Sequence, residues 1–120
     1  MEEGEQQGLP ITTEMRRCIE AASDSYSACT ETLTYSLDGR FELTDPRHLR
    51  LLIDCAEVCQ TTENALLRAS ELGQLLATVC AEACEKVAES CRRLDAADEQ
   101  LGECADVCMR CADCCRELAI

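Results

Sequence analysis

The sequence predicts an all-α protein, an antiparallel up-down-up-down four-helix bundle with a cysteine-lined interior. Small and apolar residues recur at helical spacing through four segments of roughly 22 to 25 residues, short turn signals separate the segments, and no segment alternates like a strand. Cysteine fills the repeating positions where a bundle normally has leucine or isoleucine. The chain holds 12 cysteines in 120 residues, with one Phe, two Tyr and no Trp.

The first helix follows a short tail. Residues 1–11 are acidic and contain Pro10, so we expect a flexible tail, with residues 12–120 forming a single bundle domain. Thr12 or Thr13 can cap a helix that runs to about Ser36. Its inward stripe is small and polar, and comprises Met15, Cys18, Ala22, Ser25, Cys29 and Thr32. Residues 37–40 read Leu-Asp-Gly-Arg, a turn signal.

The second and third helices carry two cysteine-rich stripes. Asp45 as N-cap and Pro46 at the first helical position predict a helix that runs to about Ser70. Its inward stripe comprises His48, Leu52, Cys55, Cys59, Thr62 and Leu66. After a turn near residues 70–73, the third helix runs to about Arg93. Its stripe comprises Leu76, Ala77, Cys80, Cys84, Val87 and Cys91.

The fourth helix has the densest cysteine pattern. We expect it to cover residues 96–118, with Asp95 as its cap and with Asp98 and Glu99 suiting its N-terminal turn. At about 100° per residue, four cysteines fall within about 60° of one another. They are Cys104, Cys108, Cys111 and Cys115, spaced i, i+4, i+7 and i+11.

Composition and charge exclude several classes of function. A net charge of −13 disfavours nucleic acid and anionic membranes as partners. No segment approaches transmembrane length, and the acidic N-terminus does not resemble a secretion signal. Long helices with cysteines at i, i+4 suit shared ligands better than disulfides, so we expect a reducing cytosol and metal or redox chemistry. The acidity favours solubility, or attraction of cations or of a basic delivery protein.

The predicted stripes gather thiols along the bundle axis, and we call this set the thiol column. One end holds Met15 and Cys18, and the other holds His48. The column comprises Cys18, Cys29, Cys55, Cys59, Cys80, Cys84, Cys91, Cys104, Cys108, Cys111 and Cys115.

Thiolate chemistry favours Cu(I) for such a column. Cysteines at i, i+4 have Cβ atoms about 5–6 Å apart, which suits a two-coordinate ion. Soft thiolates select Cu(I), zinc or iron–sulfur clusters. Zinc and iron–sulfur clusters require four ligands around one cavity, and the spacing does not indicate a closed four-sulfur set. One Cu(I) per thiolate would make the interior neutral, whereas unpaired buried thiolates would be prohibitive.

The repeated unit C-A-[DE]-x-C at residues 55–59, 80–84 and 104–108 resembles the cytosolic branch of the copper storage protein family. The resemblance covers roughly residues 15–118. It implies a cytoplasmic homotetramer of four-helix bundles that stores many Cu(I) ions on inward cysteines, serves copper homeostasis, and is not an enzyme. Several expected cysteine positions differ, which thins the column along the first helix and makes fewer sites or a different soft metal more plausible. These positions are Ala22, Ser25, Thr32, His48, Ala77, Val87 and Leu101.

We therefore predict that all eleven column cysteines bind Cu(I), with three further candidates. Cys114, at the edge of the stripe, is an edge ligand or an exposed thiol. His48 is a ligand at one mouth of the bundle or a solvated first-turn residue. Met15 passes Cu(I) inward from the other mouth or simply packs there.

Two alternative functions remain open on the sequence. One is a low-stoichiometry soft-metal carrier or sensor that binds few ions. The other is an iron–sulfur or thiol redox protein. Redox enzymes place C-x2-C at a helix start, where the thiol pKa is lowered. The C-x2-C spacings of Cys108/Cys111 and Cys111/Cys114 lie deep in the fourth helix, which argues against that alternative.

Overall fold

Four long α-helices account for most of residues 11–119, which are the residues that the computed structural model describes. They are α1 (Thr13–Asp38), α2 (Pro46–Leu67), α3 (Gly73–Asp95) and α4 (Glu99–Leu118). A short 3₁₀ turn, Phe41–Thr44, joins α1 to α2. Each helix packs against the next along the chain, and α4 packs back onto α1. The predicted four-helix bundle is confirmed.

Two helix starts agree with the sequence-based prediction. The Thr12 hydroxyl accepts a hydrogen bond from the backbone N–H of Met15 at 3.1 Å. The Asp45 carboxylate accepts one from the N–H of His48 at 3.0 Å, and Pro46 occupies the first helical position. Both caps satisfy backbone donors that a helix leaves unpaired at its start.

The start of α4 was predicted wrongly. The cap is Asp98, whose carboxylate accepts from the N–H of Leu101 at 2.9 Å, because α3 extends through Asp95. Asp95 instead accepts from Arg40 at 2.9 Å, and Arg40 also pairs with Asp98 at 3.3 Å. The Tyr35 hydroxyl donates to Asp98 at 2.7 Å. These contacts tie the α1–α2 connection to the α3–α4 connection.

The α2 helix ends at Leu67, three residues before the predicted Ser70. Ala69 has φ of 51°, in the left-handed region, and the N–H of Ser70 donates to the Ala65 carbonyl at 2.9 Å. This geometry caps the helix in the way a C-terminal glycine usually does. An alanine at this position gives no sequence signal for it.

Alanine and cysteine line the helix contacts. The fully buried alanines include Ala22, Ala77, Ala81, Ala105 and Ala112, and the larger buried side chains cluster towards the α1–α2 connection with Leu43, Leu52 and Leu101. Leu43 lies in the 3₁₀ turn, which the sequence pattern did not predict. Small side chains along the interior bring thiols from different helices within contact distance of one another.

The predicted tail, residues 1–11, lies outside the described residues apart from Ile11. In the part of the chain that is described, no helix has both the length and the apolar character that a membrane crossing requires.

Ala69→Gly should stabilise the metal-free protein. A left-handed conformation costs an alanine about 1–2 kcal/mol, and glycine recovers most of this but loses roughly 0.4–1 kcal/mol through its freer unfolded chain. We expect a net gain of about 0.5–1 kcal/mol in the free energy of unfolding, measured by urea denaturation under reducing conditions.

The matched control is Ala83→Gly, in the interior of α3. The same substitution there should destabilise the protein by about 1 kcal/mol, since glycine is a poor helix former. If Ala69→Gly and Ala83→Gly changed the free energy of unfolding in the same direction, the assignment of Ala69 as a left-handed cap would be contradicted.

Candidate metal centre

All eleven cysteines of the thiol column are completely buried, and all are free thiols. Each of the four helices contributes at least two of them, on the inward stripe that the sequence predicted. Their placement in one buried file is therefore confirmed, whereas their role as ligands remains a prediction.

One end of the column connects α1, α4 and α3. The Cys18 and Cys115 sulfurs are 3.1 Å apart, which is the shortest sulfur–sulfur distance given for the described residues. Cys115 and Cys111 lie one helical turn apart on α4, with their sulfurs at 4.0 Å. The Cys111 sulfur is 3.9 Å from that of Cys80 on α3.

Next along the axis, four sulfurs from three helices meet. Cys59 of α2 lies 3.7 Å from Cys80 and 3.9 Å from Cys84, both on α3. With Cys111 of α4 they form a group whose sulfurs all lie within 4.8 Å of one another. We call this group the sulfur quartet. The sequence spacing did not indicate this four-sulfur set, because it arises from the axial register of α2 and α4, which places one thiol from each beside the Cys80/Cys84 pair.

The column continues towards the other end through groups of three sulfurs. Cys55, Cys84 and Cys108 lie within 4.8 Å of one another, as do Cys29, Cys104 and Cys108. The sulfurs of Cys55 and Cys84 are 3.7 Å apart, and so are those of Cys29 and Cys108. Cys91 lies beside Cys104, whose thiol pKa it helps to raise. The sulfurs therefore form an uninterrupted path despite the thinning on α1.

Ser25 stands on α1 at a level where the sequence lacks a cysteine. Its hydroxyl oxygen is 3.4 Å from the Cys84 sulfur and 3.3 Å from the Cys108 sulfur, and the side chain is fully buried. A hydroxyl in this position can donate a hydrogen bond to a thiolate on either neighbour. Ser25 thus fills the gap on α1 with a polar contact to the column.

His48 is fully buried, so the alternative of a solvated first-turn residue is wrong. Its Nε2 lies 3.2 Å from the Ser36 hydroxyl and its Nδ1 lies 3.1 Å from the Ser90 hydroxyl. Burial lowers the pKa of the imidazole. Sequence reasoning missed both serines. Ser36 continues the α1 stripe four residues after Thr32, and Ser90 lies at the edge of the predicted α3 stripe, three residues after Val87.

Met15 lies at the opposite end of the bundle and is partly buried. It lines an open cavity of about 660 Å³ together with Leu66, Gly73 and Leu118. Met15 is therefore reachable from solvent, whereas the residues that line the cavity include none of the column cysteines.

Cys114 is partly buried and stands apart from the column. The described residues give it no sulfur–sulfur contact like those within the column, and burial raises its thiol pKa. The acidic residues beside the column cysteines point to solvent, as predicted. They include Asp54, Glu57, Glu82 and Asp106.

Hydrogen bonds among the buried thiols set their protonation. Hydrogen bonds with Cys111 and Cys115 lower the pKa of Cys80 to about 5. Similar bonds lower the pKa of Cys59 and of Cys108, since neighbouring thiols donate to them. For a larger group, bonding to neighbouring thiols together with burial raises the pKa, which keeps these thiols neutral. That group is Cys29, Cys55, Cys84, Cys104, Cys111 and Cys115.

Comparison with known proteins gives one family. The copper storage protein family model matches residues 11–120. A Nitrosospira multiformis protein, Nmul_A1745, is 34% identical, with a TM-score of 0.81 over 88% of this chain and 94% of its own.

Two further solved structures carry copper. The Cu(I)-bound copper storage protein BsCsp3 of Bacillus subtilis is 28% identical, with a TM-score of 0.83 over 90% of this chain and 100% of its own. A cytosolic copper storage protein from Streptomyces lividans, holding five coppers, is 28% identical, with a TM-score of 0.81 over 88% of this chain and 91% of its own.

The raised thiol pKa values predict an alkaline limit to the stability of the metal-free protein. Cysteines of the unfolded chain ionise near pH 9.0, whereas those such as Cys29 and Cys55 resist ionisation in the folded protein. Their contribution to stability is complete below pH 9.0 and is lost as the pH rises towards the folded-state values. The lowered pKa of Cys80 makes the folded protein more stable as the pH rises towards 9.0. Cys80 is already ionised in the folded protein at pH 9.0, so it does not change the stability above that pH.

Thermal unfolding followed by circular dichroism, under reducing anaerobic conditions, should show a Tm that falls above pH 9.0. Protein whose thiolates are bound to Cu(I) serves as the control, because it has no thiol protons left to lose and should keep its Tm over the same range. If the Tm of the metal-free protein and the Tm of the Cu(I)-bound protein changed with pH in the same way, the protonation pattern of the buried thiols would be contradicted.

Proposed function

Because the chain belongs to the copper storage protein family, we propose that its eleven column cysteines are the ligands of a multi-ion Cu(I) store. The observation that carries this proposal is the unbroken path of buried sulfurs along the bundle axis, from the Cys18/Cys115 pair to the Cys29/Cys104/Cys108 group. Cu(I) accepts few sulfur ligands, and a thiolate can bridge two neighbouring ions. A continuous file of thiols therefore suits many Cu(I) ions better than one isolated site.

Charge balance supports loading inside the bundle. A neutral thiol behaves as a small hydrophobic group, so the column cysteines that stay protonated, such as Cys29 and Cys55, form a stable apolar core without metal. Each Cu(I) that replaces a thiol proton leaves the interior neutral, which avoids the penalty of buried unpaired charge. Loading consequently releases protons, and Cu(I) affinity should fall as the pH is lowered.

The two ends of the column receive different roles in this proposal. Met15 stands in the open cavity and serves as the entry ligand, handing Cu(I) to the Cys18/Cys115 pair. His48 serves as a terminal ligand at the closed end, where a ring nitrogen exchanges its contact with Ser36 or Ser90 for a metal ion. Cys114 lies outside the store.

Membership of the same family supports a proposal for the setting of the store. We propose a cytoplasmic homotetramer that buffers copper and catalyses no reaction, with a basic copper-donor protein as partner. An exposed apolar stripe on the α3 side, comprising Leu72, Leu75 and Val79, supports self-association, with side chains 45–55% exposed in the isolated chain. Light scattering that returned the mass of one chain would contradict the tetramer.

Stoichiometry tests the storage function directly. Fully reduced protein is titrated anaerobically with Cu(I) in competition with a chromophoric chelator. We expect close to one ion per column thiol, roughly ten or more, before the chelator takes copper. Cys108→Ser, which removes a thiol common to two three-sulfur groups, should lower this capacity by at least one ion.

Cys114→Ser is the matched control on the same helix and should leave the capacity unchanged. Tight binding of only about one to four ions would replace the storage function with that of a carrier or sensor.

A further inference from the structure

The sulfur quartet differs from the rest of the column in its geometry. A tetrahedral ion with bonds of about 2.3 Å to sulfur requires sulfurs about 3.8 Å apart. In the quartet, Cys59–Cys80, Cys59–Cys84 and Cys80–Cys111 measure 3.7, 3.9 and 3.9 Å, and the remaining pairs lie within 4.8 Å. The four thiols thus nearly form the tetrahedron of a single ion before any ion is bound.

Other parts of the column do not offer such a set. The groups Cys55/Cys84/Cys108 and Cys29/Cys104/Cys108 each bring three sulfurs together, which satisfies Cu(I) but leaves a tetrahedral ion one sulfur short. The quartet is also too tight for an iron–sulfur cluster, whose four cysteines bind four separate corners of a larger core.

We propose that the quartet, comprising Cys59, Cys80, Cys84 and Cys111, is a single-ion Zn²⁺ site that is occupied when Cu(I) is scarce. This inference rests on the proposed function, because the same thiols belong to the Cu(I) store. Zn²⁺ has no geometric preference of its own from d electrons, so a preformed tetrahedron of thiolates determines where it binds. Zn²⁺ binds the four groups as thiolates, so any proton that a quartet thiol still carries is released on binding.

The net charge of the zinc-bound quartet makes zinc binding less favourable than copper binding. Zn²⁺ with four thiolates leaves a net charge of −2, and the buried polar side chains of residues 11–119 include no Lys or Arg to balance it. The Ser25 hydroxyl, 3.4 Å from Cys84, offers one hydrogen bond. Cu(I) at one ion per thiolate leaves no net charge, so copper displaces zinc as it fills the column.

The test uses reduced full-length protein without copper. Zn²⁺ is titrated against a chromophoric zinc chelator, and Co²⁺ is added to a second sample as a spectroscopic probe of the same site. We expect one Zn²⁺ per chain, and ligand-field bands of tetrahedral thiolate-bound Co²⁺ that zinc abolishes. Cys59→Ser should weaken zinc binding by at least about tenfold.

Cys91→Ser is the matched control, since it removes one column thiol outside the quartet and should leave zinc affinity unchanged. If Cys59→Ser does not fold by circular dichroism, Cys111→Ser replaces it. Absence of zinc binding, an octahedral Co²⁺ spectrum, or equal losses in the Cys59 and Cys91 variants would overturn the inference.

The Cu(I) capacity of the same preparation separates the two claims. Full copper loading without zinc binding contradicts the zinc site and leaves the storage function intact. One bound zinc with only a few bound coppers supports the zinc site and contradicts storage.

Discussion

Electroneutrality of the buried thiols is the constraint on which the whole structure depends. Eleven cysteines without solvent contact form a stable core only while each is protonated, or is a thiolate that neighbouring thiols stabilise by hydrogen bonds, as at Cys59, Cys80 and Cys108, or is a thiolate matched by a cation. The apolar state of the thiol lets cysteine replace leucine in the helix stripes, and the ionised state supplies ligands for a soft metal at the same positions. The bundle can therefore fill with metal without a different fold, because each Cu(I) that enters brings one positive charge to match a thiolate.

The same constraint explains the contrast between the interior and the surface. The exposed faces carry most of the chain's net charge of −13, whereas the buried polar groups are hydroxyls and one imidazole with hydrogen-bond partners. The two ends also differ. Leu43, Leu101 and His48 close the end at the α1–α2 connection, while an open cavity lined by Met15 lies at the other.

Helical periodicity was enough to predict which cysteines are buried, since a 3.6-residue repeat fixes the face of each helix. The caps at Thr12 and Asp45 followed from local chemistry. The sulfur quartet did not, because it depends on how far α2 and α4 slide along α3, which the connections between helices set. The hydrogen-bond partners of His48 could not be predicted for the same reason, because Ser90 lies on another helix.

Copper positions in the loaded protein test the central claim most directly. A crystal structure of the Cu(I)-loaded protein, with anomalous scattering measured at the copper edge, locates each ion independently of the protein atoms. Our account predicts a file of copper peaks along the bundle axis, each within bonding distance of column sulfurs such as Cys18, Cys59 and Cys108. Copper peaks mainly at surface carboxylates, or a single isolated copper in the interior, would contradict it.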